Sequence, residues 1–288
     1  ELGWLGIGVP EEFGGIGLGL GELVPIVEQM GRQLMALPFV STIIAAQAIL
    51  HAGTSQHQQK YLPALASGTP ATLALCEEHA DWNLENISCT ASQTDQGLVL
   101  SGRKFLVTDA LQAELFIVSV LYDDKPALVI VPRAALAEGA MSREQIIDDT
   151  RRSYALDLNG VCVDADSLLE PSKATETLAH IELASSLLLA AEMVGGAYNV
   201  IDYTLDYLKT RKQFGKLIGS YQSLKHTMVD AHMGYERARS HLYSAAYLFD
   251  QQGEGEVAVR MAKAEANEAF SFASDRAIQF HGGFGFTY

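Results

Sequence analysis

Residues able to hold a phosphate group lie close together shortly after position 210. Arg211 supplies a planar guanidinium, which binds phosphate oxygens through two parallel hydrogen bonds. Phe214 and Gln222 follow and add an aromatic ring and a carboxamide. These groups suit the flat, hydrogen-bonding part of a nucleotide. The segment therefore predicts a binding site for a nucleotide-like cofactor.

A second segment near the C-terminus has a composition that also suits a ligand. Gln279 is followed by His281 and by the glycines Gly282 and Gly283. Glycines let a backbone approach a ligand closely, although the same pair could end a helix as a left-handed cap. We interpret the pair as a cofactor contact and His281 as a packed residue rather than a catalytic one. Together the two segments favour a cofactor enzyme.

Charge and composition argue against several classes of protein. The 288 residues carry a formal net charge of −15, which disfavours sequence-independent binding of nucleic acid and docking on anionic lipid. Hydrophobic residues make up 48% and charged residues 19%, the balance of an ordinary globular protein. The longest apolar runs, such as 187–191, are shorter than the ~20 residues that a membrane helix needs. We therefore expect neither nucleic-acid binding nor membrane insertion.

The cysteines and histidines do not indicate a metal site. Cys76, Cys89 and Cys162 are few, odd in number and widely spaced, so they form neither a disulfide framework nor a zinc motif. His226 and His232 fall on one predicted helix but miss the spacing that brings two ligands together. We expect no metal, and a reducing compartment.

The order of elements along the chain defines three regions. Residues 1–68 show helical spacing of apolar residues, whereas 69–173 contain short apolar or alternating runs separated by turns. Residues 174–288 are helical again, with long helices joined by short connections. Closely spaced strands without intervening helices predict an antiparallel β-barrel or sandwich. The long helices predict an antiparallel bundle.

Several separated motifs, in one consistent order, resemble the flavin-dependent acyl-CoA dehydrogenases. The matching segments are 8–15, 102–108, 149–152, 211–222 and 279–287. The resemblance implies an α+β multidomain fold with an N-terminal helical domain (1–68), a central β-domain (69–173) and a C-terminal four-helix bundle (174–288). It also implies FAD between the β-domain and the bundle, with part of the site supplied by a neighbouring subunit.

The resemblance assigns roles to particular residues. Those expected to hold the pyrophosphate and adenine parts of FAD are Arg211, Phe214, Gln222, Gln279, Gly282 and Gly283. Arg211 would meet the pyrophosphate, Phe214 would pack against the cofactor and Gln222 would form a hydrogen bond with it. Gln279 and the two glycines would line the adenine side.

The central region carries both matches and departures. Thr108 matches the family residue near the flavin ring, and Cys76 stands where the family usually has threonine. Leu106 replaces a tryptophan that usually flanks the flavin. The segment 77–83 has extra acids and a tryptophan where the family has a small loop rich in glycine and serine, which should reshape the contact with flavin and CoA.

The reaction implied is α,β-dehydrogenation of an acyl-CoA thioester, with electrons passed to an electron-transfer flavoprotein. A carboxylate base removes the α-proton, and the protein aligns base, substrate and flavin. The implied assembly is a homo-oligomer or a heterotetramer. The implied location is the cytoplasm of a bacterium or the mitochondrial matrix of a eukaryote.

The catalytic base is not assigned by the resemblance. The commonest family base is a glutamate beyond the last motif, and some members place it at the position of Ser185, where serine cannot act as that base. Glu182 and Glu192 are weak candidates on the same helix. Otherwise the base lies elsewhere or is absent, and its absence would make the chain a non-catalytic partner subunit of a heteromeric dehydrogenase. A separate alternative keeps the fold but changes the chemistry, to that of a flavin oxidase or monooxygenase.

Overall fold

The computed structural model describes residues 3–79, 83–249 and 255–287, which form two compact units. The first unit combines the residues up to Leu18 with Ala36–Ala184. The second combines Gly19–Met35 with the chain from Ser185 onward. The type of element changes near the expected places, since helices end at Ser67 and resume at Ala174. The compact units nevertheless differ from the three predicted regions, because Gly19–Met35 groups with the C-terminal helices.

The described residues contain seven α-helices and eleven strands. The helices are α1 (Val24–Arg32), α2 (Phe39–Ala52), α3 (Ser55–Ser67), α4 (Ala174–Thr210), α5 (Gln222–Phe249), α6 (Gly255–His281) and α7 (Gly283–Phe286). The strands are β1 (Ala71–Ala74), β2 (Thr90–Thr94), β3 (Gly97–Ser101), β4 (Arg103–Thr108), β5 (Leu115–Tyr122), β6 (Lys125–Pro132), β7 (Met141–Arg143), β8 (Ser153–Asp157), β9 (Cys162–Val163), β10 (Lys212–Gln213) and β11 (Lys216–Leu217). The predicted order of helices, strands and helices is confirmed.

Two helices of the first unit show how local sequence sets their ends and their burial. Helix α2 is apolar on nearly every side, which is typical of a helix that lies inside a core. Helix α3 begins at a capping box, in which the His57 N–H donates to Thr54 Oγ1 (3.4 Å) and the Thr54 N–H donates to His57 Nδ1 (3.1 Å). Gly68, with φ of 120°, ends it.

The strands of the first unit form a six-stranded and a three-stranded sheet. The order of the larger sheet is β1-β5-β2-β3-β9, with β6 paired to the other side of β5, and the smaller sheet is β4-β8-β7. Strand β5 is buried at every residue from Leu115 to Val120. Such a continuous apolar run is typical of a strand covered on both faces.

The antiparallel prediction holds for most pairings but is wrong for β1. Strand β1 runs parallel to β5, with Ala71 opposite Leu115, and β2 also meets β5 in parallel. A parallel pair needs a long crossover between its strands, and here β2, β3 and β4 lie in that crossover. Strand spacing alone does not reveal pairing between strands so far apart in sequence.

The second unit is built on long helices with small residues between them. Helices α5 and α6 run antiparallel, because Arg237 lies beside Glu265 (2.5 Å) and Gly255 lies beside Phe249. Alanines dominate the buried face of α6, which lets the helix axes approach closely. Within α5, Met228 is buried, whereas Met233 is 62% exposed.

Helices α1 and α4 touch at their backbones through two glycines. A Cβ on Gly195 would lie 1.9 Å from the Glu28 carbonyl oxygen, and one on Gly31 would lie 2.1 Å from the Glu192 carbonyl oxygen. The buried Glu28 side chain then accepts hydrogen bonds from Tyr243 Oη (2.6 Å) and Arg239 Nε (3.3 Å). These contacts fix α1 to the bundle of the second unit.

A Gly195→Ala variant is expected to lower the free energy of unfolding by about 1–3 kcal/mol. The added methyl group meets backbone, which cannot move aside as a side chain could, and the intrinsic helix preference of alanine, about 1 kcal/mol, offsets only part of the loss. Gly234→Ala in α5 is the matched control, because its nearest neighbour would be Ala269 Cβ at 3.8 Å. Urea unfolding of both variants tests this. An equal response would contradict the close approach at Gly195.

One described helical span, Pro171–Thr210, is long and apolar enough to cross a membrane by length and composition, with a mean hydropathy of 1.4 in its most apolar window. This corrects the expectation from apolar runs, because scattered polar residues interrupt a run without making the helix polar. Half of that window is buried inside the protein, and core helices of soluble proteins pass the same test. The absence of membrane insertion stays a prediction.

Candidate functional site

The two segments that the sequence singles out meet at one cavity of the second unit. This cavity has a volume of about 620 Å³. It is lined by Tyr207, Arg211, Gln213, Phe214, Ile218, Tyr221, Leu224, Phe280, His281, Gly282, Gly283, Phe284 and Thr287. Segments far apart in the sequence therefore face one space. We call this space the Arg211 cavity.

A short hairpin forms one side of the Arg211 cavity. Strands β10 and β11 are joined by Phe214 and Gly215, whose φ values of 55° and 80° are both positive. Two positive φ values are the signature of a tight two-residue hairpin turn. Positive φ is uncommon for phenylalanine, and its side chain is 90% exposed. The turn therefore presents an aromatic ring at the surface rather than burying it.

Arg211 is the basic residue of this cavity. It is the only lysine or arginine among the described lining residues, and it forms no ion pair with any described residue. The Arg211 Cζ atom lies 5.7 Å from the centroid of the Phe284 ring. A guanidinium beside an aromatic ring, with its donors uncommitted to a carboxylate, suits an anionic and partly aromatic ligand.

The C-terminal side of the cavity is a sharp break between α6 and α7. Gly282 adopts φ of 58° and ψ of −131°, a conformation that side chains disfavour. A Cβ on Gly285 would lie 2.2 Å from the Ile278 carbonyl oxygen. Gly282 thus follows the last residue of α6 and lines the cavity at the same time, but its ψ is not that of a left-handed cap.

His281 is held between α4 and α6 by stacking and by one hydrogen bond. Its ring centroid lies 4.2 Å from that of Tyr207 and 5.2 Å from that of Tyr203. His281 Nδ1 lies 2.7 Å from the Ala277 carbonyl oxygen. Its Nε2 atom is buried and has no hydrogen-bond partner among the described residues. The expectation that His281 packs agrees with the stacking, but the unpaired nitrogen was not foreseen.

Other residues predicted to bind FAD lie outside the lining of this cavity. Gln222 begins α5 and Gln279 lies near the end of α6, and both are exposed. Thr108 and Cys76 belong to the first unit. The roles of all these residues in binding FAD stay predictions.

A bulge in β4 arranges the predicted flavin neighbours of the first unit. The register of β4 against β8 shifts between Lys104 and Val107, and Leu106 there has φ of 53°. The Leu106 N–H donates to Glu144 Oε2 (2.8 Å), and its side chain is 45% exposed. The bulge therefore turns Leu106 outward at the position where the family usually has a tryptophan.

Cys76 lies just after β1 rather than inside a strand. Its carbonyl oxygen accepts a hydrogen bond from the Phe105 N–H (2.9 Å), which ties it to the bulge. Burial raises the pKa of its thiol, and the nearby Lys104 only partly opposes this. A thiol with a raised pKa is a poor nucleophile at neutral pH, which favours a packing role for Cys76 over a nucleophilic one.

A buried ion pair in the first unit was missed by the sequence interpretation. Lys104 Nζ is fully buried and lies 2.7 Å from Glu77 Oε1 and 2.9 Å from Ser119 Oγ. Burial opposes the ionisation of Glu77, but hydrogen bonds from Lys104, Ser88 and the Cys89 N–H outweigh it and lower its pKa to about 2. The available signal was a lysine in a strand, directly before the apolar run 105–107.

The candidate bases are half-buried residues of α4. Glu182 belongs to the first unit and Glu192 to the second, with Ser185 between them. A role in proton abstraction stays a prediction for both. Of the segment 77–83, residues 80–82 lie outside the described residues. Within the described ranges, no group of three or more His, Cys, Asp or Glu residues could hold a metal ion.

Comparisons with known proteins identify the family. Two family models match, described as acyl-CoA dehydrogenase, N-terminal domain, over residues 1–69 and acyl-CoA dehydrogenase, C-terminal domain, over residues 184–288. Acyl-CoA dehydrogenase fadE12 of Mycobacterium bovis is 31% identical over 301 residues, which cover 100% of this chain and 77% of the relative.

Solved structures agree with the family models. A chain of the Tcur3481-Tcur3483 steroid ACAD is 31% identical with a TM-score of 0.83, and the match covers 99% of this chain and 76% of that chain. A chain from the structure of the electron transferring flavoprotein of Acidaminococcus fermentans is 26% identical with a TM-score of 0.88, covering 99% and 78%. The protein therefore belongs to the acyl-CoA dehydrogenase family, whose members are FAD-dependent oxidoreductases.

Proposed function

We propose that this protein catalyses the α,β-dehydrogenation of an acyl-CoA thioester and passes the electrons to an electron-transfer flavoprotein. The observation that carries the proposal is the Arg211 cavity, which brings Arg211 and Phe214 together with Gly282 and Gly283. The fadE12 relative is named an acyl-CoA dehydrogenase, and one similar chain comes from a structure of an electron transferring flavoprotein. Both names support this activity and this partner.

The residues of the Arg211 cavity fit part of FAD. The Arg211 guanidinium, which has no ion-pair partner in the described part of the chain, suits a diphosphate. Aromatic rings suit a flat heterocycle. His281 Nε2, which is buried and unpaired within the same residues, suits a ligand that can donate a hydrogen bond. Gly282 has no side chain that would occupy the cavity. This combination of groups suits an aromatic ligand that carries phosphate, as FAD does.

This chain would bind and orient FAD and the thioester, and a carboxylate would accept the α-proton of the thioester. Bound FAD supplies the two-electron oxidant that the removal of two hydrogens requires. Arg211 would hold the diphosphate, and Phe214 would pack against the cofactor. Glu182 and Glu192 are the candidate residues of this chain for accepting the α-proton. Exchange of each glutamate for glutamine, followed by measurement of flavin reduction, tests whether either of them is the base.

The second candidate function is a partner subunit without its own catalytic base. Ser185 stands at a position where some members of the family carry the base, and Leu106 stands where a tryptophan usually flanks the flavin. A similar chain comes from the two-component Tcur3481-Tcur3483 steroid ACAD. In this case the protein would complete the site of a different subunit and would act on a steroid-type acyl-CoA only in that assembly.

Anaerobic titration of the FAD-loaded full-length protein with acyl-CoAs of different shape tests the proposal. Loss of the oxidised flavin absorbance with one of them, followed by its return on adding an electron-transfer flavoprotein, is the expected result. A protein that binds FAD but keeps its absorbance with every thioester would support the partner-subunit function. Rapid oxygen consumption during turnover would instead indicate an oxidase or monooxygenase.

A further inference from the structure

His281 has one ring nitrogen in use and one that is buried without a partner. Its Nδ1 lies 2.7 Å from the Ala277 carbonyl oxygen, which can only accept, so Nδ1 must carry the proton. In the neutral imidazole the other nitrogen, Nε2, is then an acceptor. This acceptor is buried and unpaired among the described residues. Unpaired buried acceptors are uncommon in folded proteins, because each has lost its hydrogen bond to water without gaining another.

The ring of His281 is fixed in place, so the position of its acceptor is fixed as well. Tyr207 stacks on it with an interplanar angle of 26°, and Tyr203 does so with an angle of 11°. His281 also lines the Arg211 cavity. The side chains of Tyr203 and Phe284 are 67% and 74% exposed. Phe284 also lines the cavity and can change rotamer without breaking the stacking of Tyr207 on His281, so a ligand can approach the histidine from that side.

We propose that His281 accepts, through Nε2, a hydrogen bond from the exocyclic amino group of adenine, and that it thereby selects an adenine nucleotide. This inference rests on the proposed function, since it assumes that the Arg211 cavity holds part of FAD. His281 Nε2 would recognise the adenine base, whereas Arg211 would recognise only the charge of the diphosphate. His281 is thus a residue that determines specificity rather than a catalytic one.

The connectivity of FAD explains why adenine, and not the flavin ring, should meet His281. Both rings carry N–H donors. Adenine is joined to the diphosphate through one compact ribose ring, whereas the flavin is joined through an extended ribityl chain. Arg211 and His281 line the same cavity, and Tyr207 connects them, since the Arg211 N–H donates to the Tyr207 carbonyl oxygen (2.9 Å) and the Tyr207 ring stacks on His281. A diphosphate at Arg211 therefore brings the nearer ring to His281.

The test compares ADP with inosine diphosphate on the full-length protein after removal of bound FAD. Inosine diphosphate carries an oxygen, which is an acceptor, where adenine carries its amino donor. Wild-type protein should bind ADP about tenfold more tightly by titration calorimetry, since one hydrogen bond with an otherwise unpaired buried partner has about this effect. The binding readout does not depend on catalysis.

Two substitutions at His281 separate the acceptor from the stacking. His281→Phe keeps a ring between the tyrosines and removes the acceptor, so ADP affinity should fall about tenfold and the preference over inosine diphosphate should disappear. His281→Gln keeps an acceptor oxygen, so the preference should remain. Arg211→Ala is the control for the cavity, because it should weaken both nucleotides and leave their ratio unchanged.

Each result of this experiment decides the inference. An equal affinity of wild-type protein for the two nucleotides, no measurable binding of ADP, or an unchanged ratio in His281→Phe would overturn it. The anaerobic titration with acyl-CoA decides the proposed function separately. If the nucleotide preference follows His281 while no thioester reduces the flavin, the adenine contact stands and the dehydrogenase activity falls.

Discussion

Glu77→Gln is expected to lower the free energy of unfolding by about 3–5 kcal/mol, the loss typical when one partner of a buried ion pair is removed. The side chain of Lys104 is 0% exposed and that of Glu77 is 13% exposed. Without the carboxylate, the buried ammonium keeps only neutral acceptors, namely Ser119 Oγ (2.9 Å) and the Leu75 carbonyl oxygen (3.3 Å). Urea unfolding followed by circular dichroism measures the change.

The double variant Lys104→Met with Glu77→Gln provides the control. Replacing a buried pair by groups without charge is often close to neutral. The double variant should therefore be more stable than the sum of the two single losses predicts, with an interaction energy of about 2 kcal/mol or more. Strictly additive losses would show that the ion pair does not couple the two residues.

The ion pair between Lys104 and Glu77 should make the protein less stable at acidic pH. The pKa of Glu77 is about 2 in the folded protein and near 4.5 without these contacts. A lowered folded pKa means that the contribution to stability is present above about 4.5 and is lost as pH falls towards about 2. Thermal unfolding across this range should show a steeper loss for wild-type protein than for Glu77→Gln. Parallel curves would contradict the assignment.

Arg211→Ala is expected to weaken FAD binding roughly 10- to 100-fold, since a hydrogen bond to a charged group contributes about 1.5–3 kcal/mol. The folded state should change little, because Arg211 has no ion-pair partner among the described residues. Arg211→Lys should give an intermediate loss, since lysine keeps the charge but loses the planar fork. Fluorescence titration of the flavin-free protein with FAD measures the affinities.

Lys212→Ala is the matched control for Arg211→Ala. It removes the same charge from the neighbouring residue, which is exposed and is not among the lining residues of the Arg211 cavity. If both variants weaken FAD binding equally, the effect comes from the general field of a basic segment. If only Arg211→Ala does so, the bidentate contact at this cavity is responsible.

The sequence predicts element types and helix positions well where periodicity is strong. The long helices of the second unit follow from the repeat of apolar residues. The parallel pairing of β1 with β5 could not be predicted, because strand partners far apart in sequence leave no periodic signal. The burial of Lys104 could not be predicted either, since lysine side chains are mostly exposed unless they are paired.

The Arg211 cavity could likewise be predicted from the sequence only in part. The residue types at Arg211 and Gly282 indicated a cofactor contact from the sequence. The closeness of their two segments, by contrast, depends on how α4, α5 and α6 are arranged. The unpaired nitrogen of His281 depends on a tautomer fixed by the Ala277 carbonyl oxygen, which no sequence pattern records.

The contact of α1 with the bundle has a consequence for the order in which the chain is made. Helix α1 leaves the ribosome well before Gly195 and Arg239, which it contacts, are synthesised. Its apolar residues Val24 and Val27 are fully buried in the folded unit. They lack these packing partners until the later helices have been synthesised. The second unit therefore cannot be completed until α4 and α5 have been synthesised.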